Sequence, residues 1–493
     1  MSSKEQQIKN SFIYLIPSLV DNFIPFLTLP IFSRILFPED YGVLALAQIF
    51  AVFGCGLANL ALLGVYDRSF FQYRHDPLRS GQLLFSITLL VAGNSLVLMA
   101  VAYFAQQPLS VLFTRSPHHG DILLVALAAE CTISLRQYYL FYFKNREEAR
   151  VYMTNYLISS VLTFILSLFF VGLLRIGVIG LVYGRLLGSG AALVSLHRHV
   201  TRLIPFSLNR SLVWETLKIS FPLTPPIFYG TVVKHFDKYM LGLLSTISGV
   251  GIYSIGQKMS YMIFVYMTSL QNVFQPQVYR RLFELKEEAG EAVGKYLTPF
   301  VYISILVGLL VSLFAEEVIS LLTPAEYHGA ILVVIILSMY YGFLFWGKIN
   351  SVQLLYKKRT GTLSLLTLLT IALNILLGIP MIKLWGAEGA AWNMFLVGLL
   401  SGSVTNCVAQ NSYRIRWENK KVFTIYLVFF GASLLMIFLR WFSVDYVFRV
   451  ASKFICLGVY LSLGMQWHIV NKENFNLVRG VLWPRMVVKT VPW

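Results

Sequence analysis

The chain has 493 residues, of which 57% are hydrophobic and only 13% charged, with a formal net charge of +17. A soluble globular chain carries roughly 25% charged residues, so this composition excludes a soluble enzyme, a disordered protein and a nucleic-acid-binding domain. It describes a chain whose solvent is mostly lipid.

A helix needs about 20 residues to cross a bilayer. Fourteen apolar runs of that order follow one another, approximately 11–33, 41–63, 82–104, 121–143, 151–174, 176–196, 219–241, 250–273, 297–320, 330–352, 362–382, 387–409, 423–441 and 449–469. The expected fold class is therefore an all-α polytopic membrane protein. The first run follows a polar start, MSSKEQQIKN, is too long for a signal-peptide core and precedes no small-residue cleavage site, so it is expected to remain as a span. Pro17, Pro25 and Pro30 in the first span, and Pro222, Pro225 and Pro226 in the seventh, are expected to break or bend those helices. The longest internal loops are about 197–218 and 274–296. The second, RRLFELKEEAGEAVGK, is expected to lie as a helix on the inner membrane surface. Cys55, Cys131, Cys407 and Cys456 lie in separate apolar runs, without metal or disulfide spacing, and are expected to be buried.

Charge orients the spans. With both termini cytoplasmic, 27 of the 40 Lys and Arg fall in inside segments and eight at outside ends, as the positive-inside rule requires. The expected location is a cell membrane, the inner membrane in a two-membrane cell.

Two segments recur at one offset. YGVLALAQ from Tyr41 aligns with VGIYSIGQ from Val250, and GVIGLVYG from Gly177 with GAEGAAWN from Gly386; both pairs lie 209 residues apart. A unit of six spans returns the chain to the same side, so the two copies share one orientation. The expected organisation is an N-terminal lobe at 1–210 (spans 1–6), a C-terminal lobe at 211–415 (spans 7–12), and 416–493 holding spans 13–14 and a cytoplasmic tail. A cleft between the lobes that opens to alternate sides follows from such a repeat.

Five basic residues remain within spans: Arg136, Arg185, Lys234, Lys258 and Lys348. Each costs roughly 2.5–3.5 kcal/mol facing lipid at mid-membrane, so they are expected to line a wet cavity or to pair. The acids well inside spans are Asp21, Glu130 and Asp237. Lys348, near its cytoplasmic end, can snorkel, and Lys234 and Asp237 are close enough along one helix to pair. Arg136 lies six residues from Glu130, off the i+3/i+4 spacing. Arg185 and Lys258 have no acidic neighbour in their own spans and are the leading anion-binding candidates. Asp21 and Glu130 are the candidates for coupling to a proton or Na⁺. No HExxH-like spacing and no Walker loop GxxxxGK[ST] occurs, so neither a metal nor an ATP site is expected. Gly184/Gly188 and Gly398/Gly402 read as helix-packing positions.

PIFSRILFPEDYGVLALA, Pro30 to Ala47, resembles the first-loop signature of the polysaccharide exporters and O-antigen flippases, and FDKYMLG from Phe236 followed by GIYSIGQK from Gly251 resembles the matching signature at spans 7–8. These families belong to the superfamily of multidrug, oligosaccharidyl-lipid and polysaccharide exporters. The resemblance implies a flippase for a short glycan on a polyprenyl pyrophosphate, made on the cytoplasmic face and needed on the other for O-antigen, lipopolysaccharide, capsule or exopolysaccharide assembly. A basic, hydrated cleft lowers the barrier for the anionic head while the tail stays in lipid. Gln48, Gln257 and Asn59 are candidate sugar contacts. Membrane lipids and a glycan polymerase of the same pathway are the implied partners; nucleic acid is not, and no cofactor is expected beyond an ion gradient or membrane potential. Two readings compete. A drug antiporter of the same superfamily favours an acidic cavity for its cations, and a glycan polymerase or ligase needs a long outward loop with a catalytic constellation. The outward loop at about 105–120 is short and shows none, so the chain is not expected to be an enzyme.

Overall fold

The computed structural model describes residues 26–73, 76–204, 207–286 and 288–469, with a few isolated positions before residue 26. Every regular element among them is helical. In chain order the α-helices are α1 (Pro38–Asn59), α2 (Leu62–Gln72), α3 (Pro77–Phe104), α4 (Gln106–Thr114), α5 (Gly120–Asn145), α6 (Ala149–Leu168) and α7 (Ile179–Thr201). They continue with α8 (Arg210–Ser220), α9 (Thr224–Leu244), α10 (Ile247–Leu285), α11 (Ala289–Leu313), α12 (Ala315–Leu322) and α13 (Ala330–Tyr356). The last are α14 (Thr360–Ser412), α15 (Asn419–Trp441) and α16 (Tyr446–Gln466).

Among the described residues, nine helices are long and apolar enough to cross a membrane: α1, α3, α6, α7, α11, α13, α14, α15 and α16. α14 has 53 residues. A straight helix of that length would run about 80 Å, far more than the roughly 30 Å hydrocarbon core. It breaks at Gly386, whose φ of 54° and ψ of −125° are non-helical, and so supplies the two spans expected at 362–382 and 387–409. α5, α9 and α10 coincide with the expected spans at 121–143, 219–241 and 250–273, and they hold Glu130, Arg136, Lys234, Asp237 and Lys258. The first expected span is described at residues 26–33, helical to residue 32, and at isolated positions before them; Asp21 and Pro25 lie outside the described residues, as does the tail beyond residue 469.

The repeat is visible in the backbone. Gly177 (φ 74°) and Gly386 (φ 54°) are the only glycines with positive φ among the described residues, and they are one repeat apart. Each stands at a turn between two spans, where a left-handed residue reverses the chain and a Cβ would strain it. α4 and α12 also start 209 residues apart. The two copies meet reciprocally: a Cβ on Gly42 would overlap the Ile247 carbonyl oxygen, and one on Gly251 the Pro38 carbonyl oxygen. Pro38 and Ile247 are themselves 209 residues apart, as are Gly42 and Gly251, so this contact maps onto itself under the repeat. Beside it, Tyr327 Oη donates to the Leu36 carbonyl at 2.6 Å. The Arg115 guanidinium donates to that of Ser245, Leu36's repeat mate, at 3.4 Å.

The described chain forms two compact units: Met1–Ser254 with Leu321–Tyr327, and Ile255–Ser320 with His328–Trp493. Helices in lipid gain little transfer energy by touching one another, so close packing and polar contacts hold them. In the first unit Tyr66, Tyr138 and Phe143 are fully buried, and Gly184 and Gly188 of α7 lie against the backbone of Ser167 and Thr163 of α6. In the second, Phe274 packs on Phe300 and Phe345 with ring centroids 5.6 and 5.4 Å apart, and Gly398 and Gly402 receive the rings of Tyr340 and Phe343.

Several expectations change. α10 runs unbroken to Leu285 through Pro276, so much of the charged 274–296 stretch extends a span and forms no separate surface helix. Its apolar residues Phe274, Val278 and Leu282 are buried, and their spacing keeps one face in the core. The ninth span ends at Leu313; Phe314 joins it to the short α12. Pro222 lies in a 3-10 turn and Pro225 and Pro226 occupy the first turn of α9, where a missing N–H costs nothing. The prolines therefore start this helix instead of bending it. His197 and His199 lie in the last turns of α7, with His197 hydrogen-bonded to Tyr139 at 2.9 Å. Cys55 and Cys131 are buried as expected, whereas Cys407 is exposed and Cys456 half-buried.

Candidate functional site: a polar network between spans

Glu130 sits near the middle of α5 and Arg185 in the second turn of α7, 55 residues away. The structure brings them together, with guanidinium and carboxylate 2.7 Å apart and side chains 34% and 19% exposed. Each charge alone would cost several kcal/mol in hydrocarbon; paired, they offset that cost. The same stretch of α5 carries further polar contacts. Cys55 Sγ of α1 donates to the Glu130 carbonyl. Asn59 Nδ2 donates to Ser134 Oγ at 3.0 Å while Tyr138 Oη donates to Asn59 Oδ1. Arg136, 6% exposed, places its guanidinium 5.2 Å from the centre of the Tyr156 ring on α6, a cation–π arrangement. Gln48 of α1 is half-buried. Helices α1, α6 and α7 thus each bring polar or aromatic partners to the stretch of α5 from Glu130 to Tyr138.

On α9, Lys234 is exposed and Asp237 is buried; Asp237 accepts a hydrogen bond from Tyr253 Oη of α10. In the second unit Lys258 is exposed and Gln257 half-buried on α10, and the half-buried Lys348 of α13 holds its ammonium 5.1 Å from the centre of the Phe264 ring. Asp21 lies outside the described residues. Among the described residues no group of three or more His, Cys, Asp or Glu could hold a metal ion.

One cluster was not anticipated. Glu316 and Glu317 of α12 accept contacts from Arg440 (3.2 Å) in the last turn of α15 and from Arg449 (3.0 Å) and Lys453 (3.3 and 2.5 Å) of α16. Lys453 is 2% exposed. The available signal was an adjacent Glu-Glu near the end of the span expected at 297–320 and three basic residues around another loop, those three assigned to the outside. Their pairing was not legible, because more than 120 residues separate them.

The sequence matches the family model described as polysaccharide biosynthesis protein over residues 8–280. No curated protein matches it. Among solved structures, the fold is similar to the lipid II flippase MurJ in its inward closed conformation, with TM-score 0.59 and 17% identity over 90% of this chain and 100% of that one. It is similar to an inward-facing multidrug resistance MATE family transporter of the MOP superfamily, with TM-score 0.62 and 15% identity over 82% and 97%. It is also similar to the Vibrio cholerae MATE transporter VcmN in its bent form, with TM-score 0.51 and 17% identity over 83% and 96%. At these identities the likeness is one of fold alone. With the family model spanning more than half of its length, the chain belongs to the polysaccharide biosynthesis protein family.

Proposed function

We propose that the chain is a flippase that carries a polyprenyl-pyrophosphate-linked oligosaccharide from the cytoplasmic to the outer face of the membrane, for assembly of a surface polysaccharide such as O-antigen or capsule. The observation that supports this reading is the cationic surplus within the spans of a chain of this family. The basic residues assigned within spans, Arg136, Arg185, Lys234, Lys258 and Lys348, outnumber the acids assigned there, Asp21, Glu130 and Asp237. An anionic pyrophosphate suits that surplus; an organic cation does not. The lobes at 1–210 and 211–415 are the moving parts of this reading, with 416–493 an addition, and an ion gradient or the membrane potential resets them. Both termini are cytoplasmic and the membrane is the inner one. Arg185 and Lys258, one per lobe, grip the pyrophosphate, while Gln48 and Gln257 contact sugar. Asn59, already bonded to Ser134 and Tyr138, acts more as a fixed support.

The ion pair adds a route for coupling. Protonation of Glu130 would release the Arg185 guanidinium to the anionic head, and loss of that proton would take it back and eject the head. The test is complementation of a flippase-deficient strain at matched membrane levels. Arg185→Ala and Lys258→Ala are each expected to lower surface glycan at least tenfold, since a hydrogen bond to a charged group is worth about 1.5–3 kcal/mol. Full glycan from both would sink the cationic-cleft reading, and export of a cationic dye by the wild type would favour the drug-antiporter alternative.

A further inference from the structure

A second basic site lies away from the network just described. Between the start of α6 and the end of α7 is a groove of about 590 Å³. Its rim holds three arginines, Arg150, Arg198 and Arg202, with Thr154 and Ser195 between them; no carboxylate lines it. All three arginines are exposed. Arg198 and Arg202 are four residues apart and so share one helix face; Arg150 faces the same groove from the first turn of α6, where the helix dipole also favours an anion. At the floor is Asn155, 5% exposed. Its Nδ2 donates to the Ala192 carbonyl at 2.9 Å, which fixes the carboxamide, while its Oδ1 is buried without a hydrogen-bond partner. A buried acceptor left unsatisfied costs about 1–3 kcal/mol. The groove therefore asks for a ligand with two properties: negative charge at the rim and a hydroxyl donor toward the floor.

The surroundings add a third property. Only a small part of the apolar stretch of α6 is buried. Ile158, Val161 and Ile165 of α6 and Leu187 and Val194 of α7 are exposed large apolar side chains that run from the groove toward the middle of these spans. A ligand seated here has an anionic, hydroxylated head at the membrane interface and hydrocarbon along the helices. Basic pockets between spans are suited to anionic head groups.

We propose that this groove binds the phosphoglycerol head of an anionic phospholipid, with the phosphate on Arg150, Arg198 and Arg202 and a glycerol hydroxyl donating to Asn155 Oδ1. The assignment does not depend on the flippase reading. A polyprenyl pyrophosphate shares the phosphate and hydrocarbon chemistry, and the experiment separates the two.

The full chain, purified in detergent, is titrated with phosphatidylglycerol, phosphatidic acid, phosphatidylcholine or undecaprenyl pyrophosphate, and bound lipid is counted by native mass spectrometry. The wild type is expected to retain phosphatidylglycerol at least tenfold better than phosphatidylcholine, and better than phosphatidic acid, which lacks the glycerol hydroxyls. The triple variant Arg150→Gln, Arg198→Gln, Arg202→Gln is expected to lose the first preference. Its three changes are on the surface, so the fold is retained. Asn155→Leu is expected to lose only the preference over phosphatidic acid. Equal phosphatidylglycerol retention by wild type and triple variant would overturn the proposal. So would retention of undecaprenyl pyrophosphate with no preference among the phospholipids.

Discussion

Arg185 and Glu130 show how a residue's environment revises its meaning. In the sequence, Arg185 is a lone cation in an apolar run. In the fold it has a carboxylate at 2.7 Å on a neighbouring helix. Removing either partner leaves the other without its counter-ion in a largely apolar setting. Arg185→Ala and Glu130→Gln should each lower thermal stability in detergent, and the double variant should lose less than the sum, with a coupling of about 1–3 kcal/mol. Strict additivity of melting-curve shifts would mean that the pair is not formed. For Arg136, Arg136→Lys keeps the charge but loses the planar face over Tyr156. It should therefore behave as a partial loss, with melting temperature between wild type and Arg136→Ala. None of these pairings follows the helical i+3/i+4 rule, and that is why they escaped the sequence. The partners are set by helix packing across 55 residues for Arg185 and 20 for Tyr156, distances over which periodicity carries no information.

At the scale of the element, apolar runs of bilayer length were enough to place most helices. Hydropathy reports where a chain prefers lipid, and a spanning helix needs all its backbone bonds internal, so apolar run and helix coincide. Hydropathy does not report where a helix stops once it leaves the membrane. α10 accordingly continues past its apolar stretch to Leu285, and the span that ends at Leu313 is followed by a separate short helix. That short helix carries Glu316 and Glu317, which tie it to α15 and α16 through Arg440, Arg449 and Lys453. Lys453 is nearly inaccessible to solvent, and an orphaned buried charge costs about 3–5 kcal/mol. Glu316→Gln combined with Glu317→Gln should therefore loosen the last two helices first. Limited proteolysis would read this as faster cutting at residues 442–445, and an unchanged cutting rate would refute the tie. Gly386 offers a second test at this scale. Its backbone lies where a residue with a Cβ is strained by roughly 1–3 kcal/mol, so Gly386→Ala should lower the melting temperature. Gly361→Ala, where an added Cβ meets nothing within 4 Å, should not.

For the whole molecule, the charge census makes an orientation that labelling can check. In a cysteine-free background, which the exposed Cys407 makes necessary, single cysteines at Ser116 and Asp445 should react with an impermeant thiol reagent added to intact cells. One at Arg359 should react only after permeabilisation. Labelling of position 359 in intact cells would invert the orientation. The repeat was legible because the 209-residue offset survives where geometry leaves little choice: a reversal needing a left-handed glycine, and a crossing with no room for a Cβ. Where a position needs only an apolar side chain, many residues serve, and the resemblance between the copies is lost.

The crossing of Gly42 and Gly251 resembles the two-fold contact of a homodimer, in which one surface meets its own image. In a true dimer any substitution strikes both sides at once. Here the two positions are separate codons, so each can mutate alone. Sterically, though, they are one constraint: a methyl group on either glycine already forces the helices apart, and the space so opened receives the second methyl at little extra cost. The first substitution should thus be harmful and the second nearly neutral once the first is present, a coupling within about 0.5–3 kcal/mol. Measured by melting curves of Gly42→Ala, Gly251→Ala and the double variant, this would appear as strong positive epistasis. The chain would then be expected to keep both glycines or to lose both, and seldom to carry one.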